Sequence, residues 1–263
     1  MSGYLNIHTF YNNIAQRNFQ YLSAIYSDQD ALVGAIENLT KEHLNQETLQ
    51  GKNILIKPNW VKHSSVPEDE FCLRTHDKFI VAALKVLLKM SPAQIVIGDA
   101  PIQLTKWDEM LSPDFLGEIT RLSKESNVAV SLIDFRRRKY SVEGNSPLTE
   151  IRPLSEYVII DLGKRSILEP VTSAGKTRFR VTNYDPDRMQ EAHAPGVHKY
   201  CIAKEFFDAD IVISLPKIKT HQKTGVTGAL KNLVGINGDK DFLPHHRIGG
   251  TKRGGIATLA DQF

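Results

Sequence analysis

Three cationic or imidazole side chains and a threonine follow a short apolar segment in the second half of the chain. Residues 211–215 read IVISL, and Lys217, Lys219, Thr220 and His221 come directly after them. Ammonium groups attract carboxylates and phosphates, and an imidazole beside a cation in a desolvated cleft stays available as a base. These residue types predict a site for a small anion, with His221 as a candidate catalytic base.

A glycine-rich stretch leads from this cluster into an apparent helix that carries Lys231 and Asn232. Gly225 and Gly228 flank the predicted helix start, where unpaired N–H groups favour an anion. The spacing does not fit a Walker loop, because Lys231 is followed by asparagine rather than by Ser or Thr. The alternative is a solvated lysine face with His221 bonded to a backbone carbonyl.

The elements that would position these residues alternate between strand and helix. Apolar runs at 53–57, 94–98 and 128–133 predict strands, and periodic apolar residues between them predict helices starting near Asp77 and after Trp107. With the strand at 211–215, this pattern predicts an α/β fold with a mainly parallel sheet flanked by helices. Lys57, Asn59 and Asp99 would then lie at the same strand-end edge as the lysine cluster.

The chain divides into two predicted parts. Residues 1–50 are expected to form a peripheral helical region, and residues 51–263 an α/β domain with an irregular, β-containing insertion at about 136–196. A helix containing Ile202, Ala203, Phe206 and Phe207 is expected after the insertion.

The composition excludes several classes of protein. The chain has 263 residues, a net charge of +3 and only two cysteines, Cys72 and Cys201, which excludes an iron–sulfur cluster held by its own cysteines. No stretch approaches the length of an apolar membrane span, and the first residues do not resemble a signal peptide. A cytoplasmic protein that does not bind membranes is the expectation.

Two further groups of residues favour no specific function. The basic run 136–139 could contact a polyanion, but four adjacent charges are more often solvated, and nucleic acid is not an expected partner. His193 and His198 could bind a metal, but without carboxylate or thiolate spacing a polar loop is the simpler interpretation.

Four motifs resemble a known family. They read KPNW at 57–60, IGDAP at 97–101, LPKIKTHQKTGVTGALKNLVG at 215–235 and LPHHRIGG at 243–250. Together they are similar to domain-of-unknown-function family 362. Members of that family often carry a ferredoxin-type module, for which this chain lacks the cysteines.

A more distant similarity is to nickel-pincer lactate racemases. In those enzymes a histidine precedes, by ten positions, the lysine that holds the cofactor, as His221 precedes Lys231 here. The resemblance implies racemase-like or isomerase-like chemistry, or metal-assisted chemistry, with nickel or another divalent metal as the possible cofactor. His245 or His246 would be the metal ligand, close to the expected offset but not on it.

Two function hypotheses follow. The first is an enzyme for a small carboxylate or phosphorylated metabolite, with His221 and Lys231 catalytic. Its substrate would be bound by Lys57, Asn59, Asp99, Lys217, Lys219, Thr220 and Asn232. The second is a non-catalytic module that holds an anion or organises an assembly, with a protein partner or a second copy of the chain.

Overall fold

A computed structural model describes six parts of the chain. They are residues 26–64, 73–139, 149–174, 179–181, 186–221 and 225–248. Several expectations lie partly or wholly outside these residues, among them Cys72, the first half of the predicted N-terminal region and parts of the predicted insertion.

A four-stranded parallel sheet forms the centre of the fold. Its strands are β1 (Asn53–Pro58), β2 (Gln94–Asp99), β3 (Ala129–Asp134) and β10 (Ile211–Leu215), in the spatial order β10-β1-β2-β3. Ile54 pairs with Ile211 on one side and with Ile95 on the other. The predicted parallel α/β sheet is thereby confirmed.

Helices cover one face of this sheet. The helices are α1 (Gln29–Thr40), α2 (Gln46–Leu49), α3 (Asp77–Leu88), α4 (Trp107–Met110) and α5 (Pro113–Ser126). Because side chains alternate along a strand, Ile54 and Ile56 point towards this helical layer and pack in the larger apolar core. Helix α1 begins at the N-cap Asp28, whose carboxylate accepts hydrogen bonds from two backbone N–H groups, and it packs on α3.

Residues between β3 and β10 cover the opposite face. Leu55 points to this side and packs with Phe135, Tyr157 and Cys201 in a second apolar cluster. Strands β6 (Tyr157–Asp161), β8 (His193–Ala194) and β9 (Val197–Ala203) form an antiparallel sheet there, with β9 in the middle. Lys57 has the same parity as Leu55, so its side chain also lies on this side.

The remaining elements are short. Three two-stranded pairs are β4 (Arg138–Lys139) with β5 (Thr149–Glu150), β7 (Phe179–Arg180) with β13 (His246–Arg247), and β11 (Lys219–His221) with β12 (Gly225–Thr227). The short helices are α6 (Pro186–Ala192), α7 (Glu205–Asp208) and α8 (Ala229–Asn232). Turns of 3-10 helix occupy Leu154–Glu156, Gly163–Arg165, Glu169–Val171, Leu233–Ile236 and Lys240–Phe242.

Two predicted helices are present only in part. In the helix expected to contain Ile202, Ala203, Phe206 and Phe207, the first two residues instead end strand β9, because Lys199–Ala203 pairs with β6. The last two lie in the helix Glu205–Asp208, as predicted. The expected helix after Gly228 has four residues before it tightens to 3-10 geometry. A helix this short has too few aligned peptide dipoles to make an anion site by itself.

The basic run is buried rather than solvated. The Arg136 side chain is fully buried and bonded to Asp134, and Arg138 lies between Asp239 and Asp241. Arg137 bonds to Asp239 and Glu150, which leaves Lys139 as the exposed member. Within the described residues, no helix combines the length and the apolar character needed to cross a membrane.

Candidate functional site

The carboxyl ends of β1 and β10 meet where the order of the strands reverses. Strands β1, β2 and β3 follow one another across the sheet, whereas β10 returns to the other side of β1. Such a reversal opens a crevice beyond the strand ends, which is the usual ligand position in open α/β sheets. Asn59 follows β1, Ala100 follows β2 and Lys219 follows β10, so all three come to this crevice.

A buried ion pair forms the floor of the crevice. The Lys57 ammonium lies 2.8 Å from Asp99 Oδ1 and donates to the carbonyl of Pro58 and to Asn232 Oδ1. Asp99 also accepts from the backbone N–H of Trp60 at 2.5 Å. Burial lowers the pKa of Lys57, while the attraction of Asp99 opposes that shift. Each charge is therefore compensated without a ligand.

Asn232 ties the floor to the C-terminal half of the chain. Its amide nitrogen donates to the Lys57 carbonyl at 2.8 Å and to Ser214 Oγ at 3.0 Å, while its oxygen accepts from Lys57. Gly235 lies directly above the ion pair, because a Cβ atom there would be 1.7 Å from Asp99 Oδ1. The carbonyl of Gly235 accepts from the backbone N–H of Ala100 at 2.9 Å.

Above this floor lies a cavity of about 260 Å³. Its polar lining comes from Asn59, Asp99, Gln103, Lys219, Lys231, Asn232, Lys240 and His245. Its apolar lining comes from Val61, Ile102, Leu104, Val181, Val234 and Leu243, together with Ala100 and Gly235. A mixed lining of apolar walls with a few converging polar groups is typical of small-molecule sites.

Positive charge exceeds negative charge around the cavity. Among the described lining residues, Lys219, Lys231 and Lys240 carry ammonium groups, whereas Asp99 is the one carboxylate and is already paired with Lys57. Burial lowers the pKa of Lys240 to about 8, and the nearby charges of Lys57 and Arg136 act in the same direction. A bound anion would relieve this repulsion.

Lys219 stands in a similar environment. Burial lowers the pKa of its ammonium, and the neighbouring cations Lys231 and Lys217 lower it further. The ammonium donates to the carbonyl of Leu73 at 2.6 Å and reaches Asn59 Oδ1 at 3.5 Å.

His221 and Lys231 are brought together by the β11–β12 hairpin. Ten positions separate them in sequence, and the Lys231 ammonium is 2.5 Å from His221 Nε2. An ammonium can only donate, so this contact requires an Nε2 atom without hydrogen. That is the form of histidine that can accept a proton.

His245 and His246 do not assemble a metal site with the described residues. Their Nδ1 atoms are 3.4 Å apart, His245 lines the cavity, and His246 lies in β13. No group of three or more His, Cys, Asp or Glu side chains in the described ranges is arranged around a common point. Two imidazoles alone do not make up the ligand set of a nickel or zinc centre, so we derive no step through a metal.

The structure thus brings together most of the predicted site residues. Asn59, Asp99, Lys219, Lys231, Asn232 and His245 line the cavity, and His221 contacts Lys231. Lys57 belongs to the floor but does not line the cavity, Thr220 is exposed, and Lys217 and His246 are outside the lining that the structure describes.

Sequence reasoning missed Gln103, Gly235 and Lys240 as members of the site. Gly235 belongs to the long motif that indicated the family, and that motif was the available signal for it. Gln103 and Lys240 lie in irregular segments, where no periodicity marks them.

Comparison with known families adds one match. Residues 164–261 match a domain of unknown function, DUF362. This confirms the family resemblance predicted from the motifs. The DUF362 segment contributes β10, the β11–β12 hairpin and Lys240, whereas Asn59, Asp99 and Gln103 come from the part of the chain before it. The cavity therefore forms between the DUF362 segment and the preceding strands.

No curated protein and no solved structure matches the chain. The similarity to nickel-pincer lactate racemases stays a prediction.

Proposed function

We propose that this protein is an enzyme that binds a small carboxylate or phosphorylated metabolite in the cavity. The observation that carries the proposal is the excess of positive charge. Three lysines converge on a cavity whose single described carboxylate is already neutralised by a fourth lysine. Several cations held together in a partly desolvated space are stabilised by an anion.

The His221–Lys231 contact supports a proton-transfer step. A substrate anion would attract the Lys231 ammonium and draw it away from His221 Nε2, which then has an available lone pair. His221 would accept a proton from the substrate, and Lys231 would stabilise the negative charge that develops. A small anionic substrate and a proton transfer to His221 are both consistent with racemase-like or isomerase-like chemistry.

Binding is tested first, by calorimetry with acetate, malonate, inorganic phosphate and glucose 6-phosphate, with glucose as the neutral control. We expect at least one anion to bind and glucose not to bind. Lys219→Met and Lys231→Met should each weaken that binding by roughly 10-fold to 100-fold, since each removes a charge-assisted hydrogen bond. Lys124→Met, at an exposed position of helix α5, is the matched control and should bind like the wild type. Absence of any saturable anion binding, or unchanged affinity in both cavity variants, would refute the proposal.

Catalysis is tested separately by exchange of substrate hydrogen in deuterated water, followed by NMR. The wild type should exchange a hydrogen next to the carboxylate of a bound ligand, and His221→Ala should abolish exchange while it retains the fold. His43→Ala is the control: it removes an exposed histidine that is distant from His221 in sequence, and it should have no effect on exchange. Exchange at the wild-type rate in His221→Ala would exclude His221 as the base.

A non-catalytic anion-binding or assembly module is the second candidate. It is favoured by the floor of the cavity, where Lys57, Asp99 and Asn232 satisfy one another and leave no reactive group. Saturable binding of an anion without exchange or conversion in the wild type would select this candidate.

A further inference from the structure

One polar side chain of the cavity lacks the partners that buried polar groups normally have. Gln103 is 4% exposed and lines the cavity, and neither its amide nitrogen nor its amide oxygen has a hydrogen-bond partner among the described residues. Burying an amide without partners costs free energy, and native proteins contain few such groups. An unpaired amide that faces a cavity therefore points to a ligand.

The backbone that carries Gln103 is held rigidly. The guanidinium of Arg136 is fully buried and donates to the carbonyls of Ile102, Gln103 and Thr105, at 3.1, 3.3 and 2.7 Å. The N–H of Ile102 donates to the carbonyl of Val61 at 2.9 Å. The unpaired amide thus belongs to a well-fixed loop, as expected for a preorganised binding group.

Much of the cavity lining is apolar. Ile102 and Leu104 flank Gln103 in sequence, and Val61, Val234 and Leu243 also line the cavity. A small inorganic anion or a sugar phosphate would contact the lysines but would leave these walls without a complementary surface. An apolar group bound against them would add affinity through burial of its surface.

We propose that Gln103 is a ligand-binding residue, and that the ligand is an organic anion with an apolar body and a neutral hydrogen-bonding group, such as an amide, that pairs with Gln103. The anionic end would lie at the lysines, the apolar body against Ile102, Val61 and Leu243, and the neutral group at Gln103. This inference rests on the proposed anion site and specifies its ligand.

The test compares three probes by calorimetry: N-acetyl-leucine, 4-methylpentanoate and acetate. The first two share a branched apolar body and a carboxylate, but only the first carries an amide. Acetate has the charge alone. We expect N-acetyl-leucine to bind at least 10-fold more tightly than 4-methylpentanoate, and 4-methylpentanoate at least 10-fold more tightly than acetate.

Gln103→Leu is the diagnostic variant. It should weaken N-acetyl-leucine binding by roughly 10-fold and leave 4-methylpentanoate binding unchanged or slightly stronger. Its melting temperature should equal or exceed that of the wild type, because the substitution removes two unpaired buried polar atoms. Gln94→Leu, at an exposed position at the start of β2, is the matched control and should not change the binding of any probe.

The possible failures are distinguishable. If acetate binds as tightly as both larger acids, the anion site stands and the apolar body is refuted. If N-acetyl-leucine and 4-methylpentanoate bind equally, or if Gln103→Leu lowers the melting temperature, the role of Gln103 is refuted. If no probe and no other anion binds, the proposed function fails together with this inference.

Discussion

Gly235, which lines the cavity, has no room for a larger side chain. A Cβ atom at this position would lie 1.7 Å from Asp99 Oδ1 and 2.7 Å from Lys57 Nζ. The close approach allows the chain above the floor to bond Ala100 directly. Glycine is required here for space rather than for an unusual backbone angle.

Gly235→Ala should therefore destabilise the protein by about 1–3 kcal/mol or more, because the methyl group must displace a buried ion pair. Chemical denaturation measures the free energy of unfolding. Gly117→Ala is the control, since Gly117 lies inside helix α5 with no atom within 4 Å of the added Cβ. That substitution should be neutral or stabilise by up to about 1 kcal/mol. A Gly235→Ala protein as stable as the wild type would contradict the described packing.

The charge of Lys240 should make anion binding depend on pH. Burial lowers the pKa of Lys240 to about 8, and its ionised neighbours are Asp99, Lys57, Arg136 and Asp134. An anion favours the protonated ammonium, so affinity should be constant below about pH 8 and fall by up to tenfold per pH unit above it. Calorimetry from about pH 6.5 to about pH 9.5 measures this, and Lys240→Met should bind more weakly and with a smaller dependence on pH, to which Lys219 still contributes. An affinity that increases with pH in the wild type would contradict this prediction.

At the residue scale, sequence predicted the groups that follow regular strands. Asn59, Asp99 and Lys219 were identifiable because the apolar runs before them end at one edge of a parallel sheet. The pairing of Lys57 with Asp99 was not predictable, because these residues are distant in sequence and nothing local shows which carboxylate neutralises which lysine. Gln103 is polar in a loop, and the loop is held by Arg136, which is 33 positions away and donates to the Gln103 carbonyl.

Between β3 and β10, the hairpin of β8 and β9 holds two buried histidines, His193 and His198, against the segment that carries Lys240. His193 Nε2 is 3.1 Å from the carbonyl of Phe242, and the Nδ1 atoms of His193 and His198 are 3.3 Å apart. His198 Nε2 is 3.0 Å from a carboxylate oxygen of Glu169. The carbonyl of Phe242 and the carboxylate of Glu169 only accept, so His193 and His198 each donate from Nε2, and their Nδ1 atoms face each other.

This arrangement should make the protein less stable in mild acid. Burial lowers the pKa of His193 to about 4, and the nearby His198 contributes to the shift. An unfolded histidine has a pKa of about 6.5, so the unfolded chain binds the proton first and stability falls as the pH decreases from about 6.5 towards 4.

We expect a slope of at most about 1.4 kcal/mol per pH unit from His193, measured by denaturation between about pH 6.5 and about pH 5. His193→Gln should reduce the slope, whereas His43→Gln, at an exposed position, should preserve it. An unchanged slope in His193→Gln would show that another group controls the acid response. Asp161 is another charged neighbour of His193, and its attraction for the protonated imidazole opposes the lowering of the His193 pKa.

At the element scale, helices and strands with clear apolar periods were predicted well. The main error concerned strand β9. The apolar residues of VHKYCIA fit both the period of a helix and that of a strand, and pairing with β6 selects the strand. The hairpin of β11 and β12 was also missed, since three-residue strands have too little pattern to detect. Both errors concern elements whose structure depends on a distant or very short partner.

At the scale of the whole molecule, a buried charge cluster joins the insertion to the C-terminal segment. Arg138 of β4 contacts Asp239 and Asp241, and Arg137 contacts Asp239 as well. Asp239 and Asp241 flank Lys240, so the same cluster positions one wall of the cavity. The fold class was predictable from the alternation of elements, but this connection between distant segments was not.

Removal of Arg138 should therefore affect both stability and binding. Arg138→Met leaves two buried carboxylates without their main cation and should cost about 3–5 kcal/mol of unfolding free energy. Arg121→Met is the matched control, because Arg121 pairs with Glu118 and Glu125 on an exposed surface, where such pairs contribute about 1 kcal/mol or less. Denaturation compares the two variants, and equal losses would argue against a structural role for the buried cluster.

The position of β10 in the sheet has a consequence for synthesis of the chain. At the start of the β1–β10 ladder, the Asp210 carboxylate accepts a hydrogen bond from the backbone N–H of Asn53, which is 157 positions away in sequence. During synthesis, β1, β2 and β3 emerge from the ribosome long before β10. One edge of the apolar strand β1 therefore has no partner during that time. Unpaired strand edges favour association between chains, and pairings this distant in sequence form slowly. The nascent chain should therefore expose this edge of β1 until residues 211–215 emerge, and the ligand crevice forms only when β10 enters the sheet.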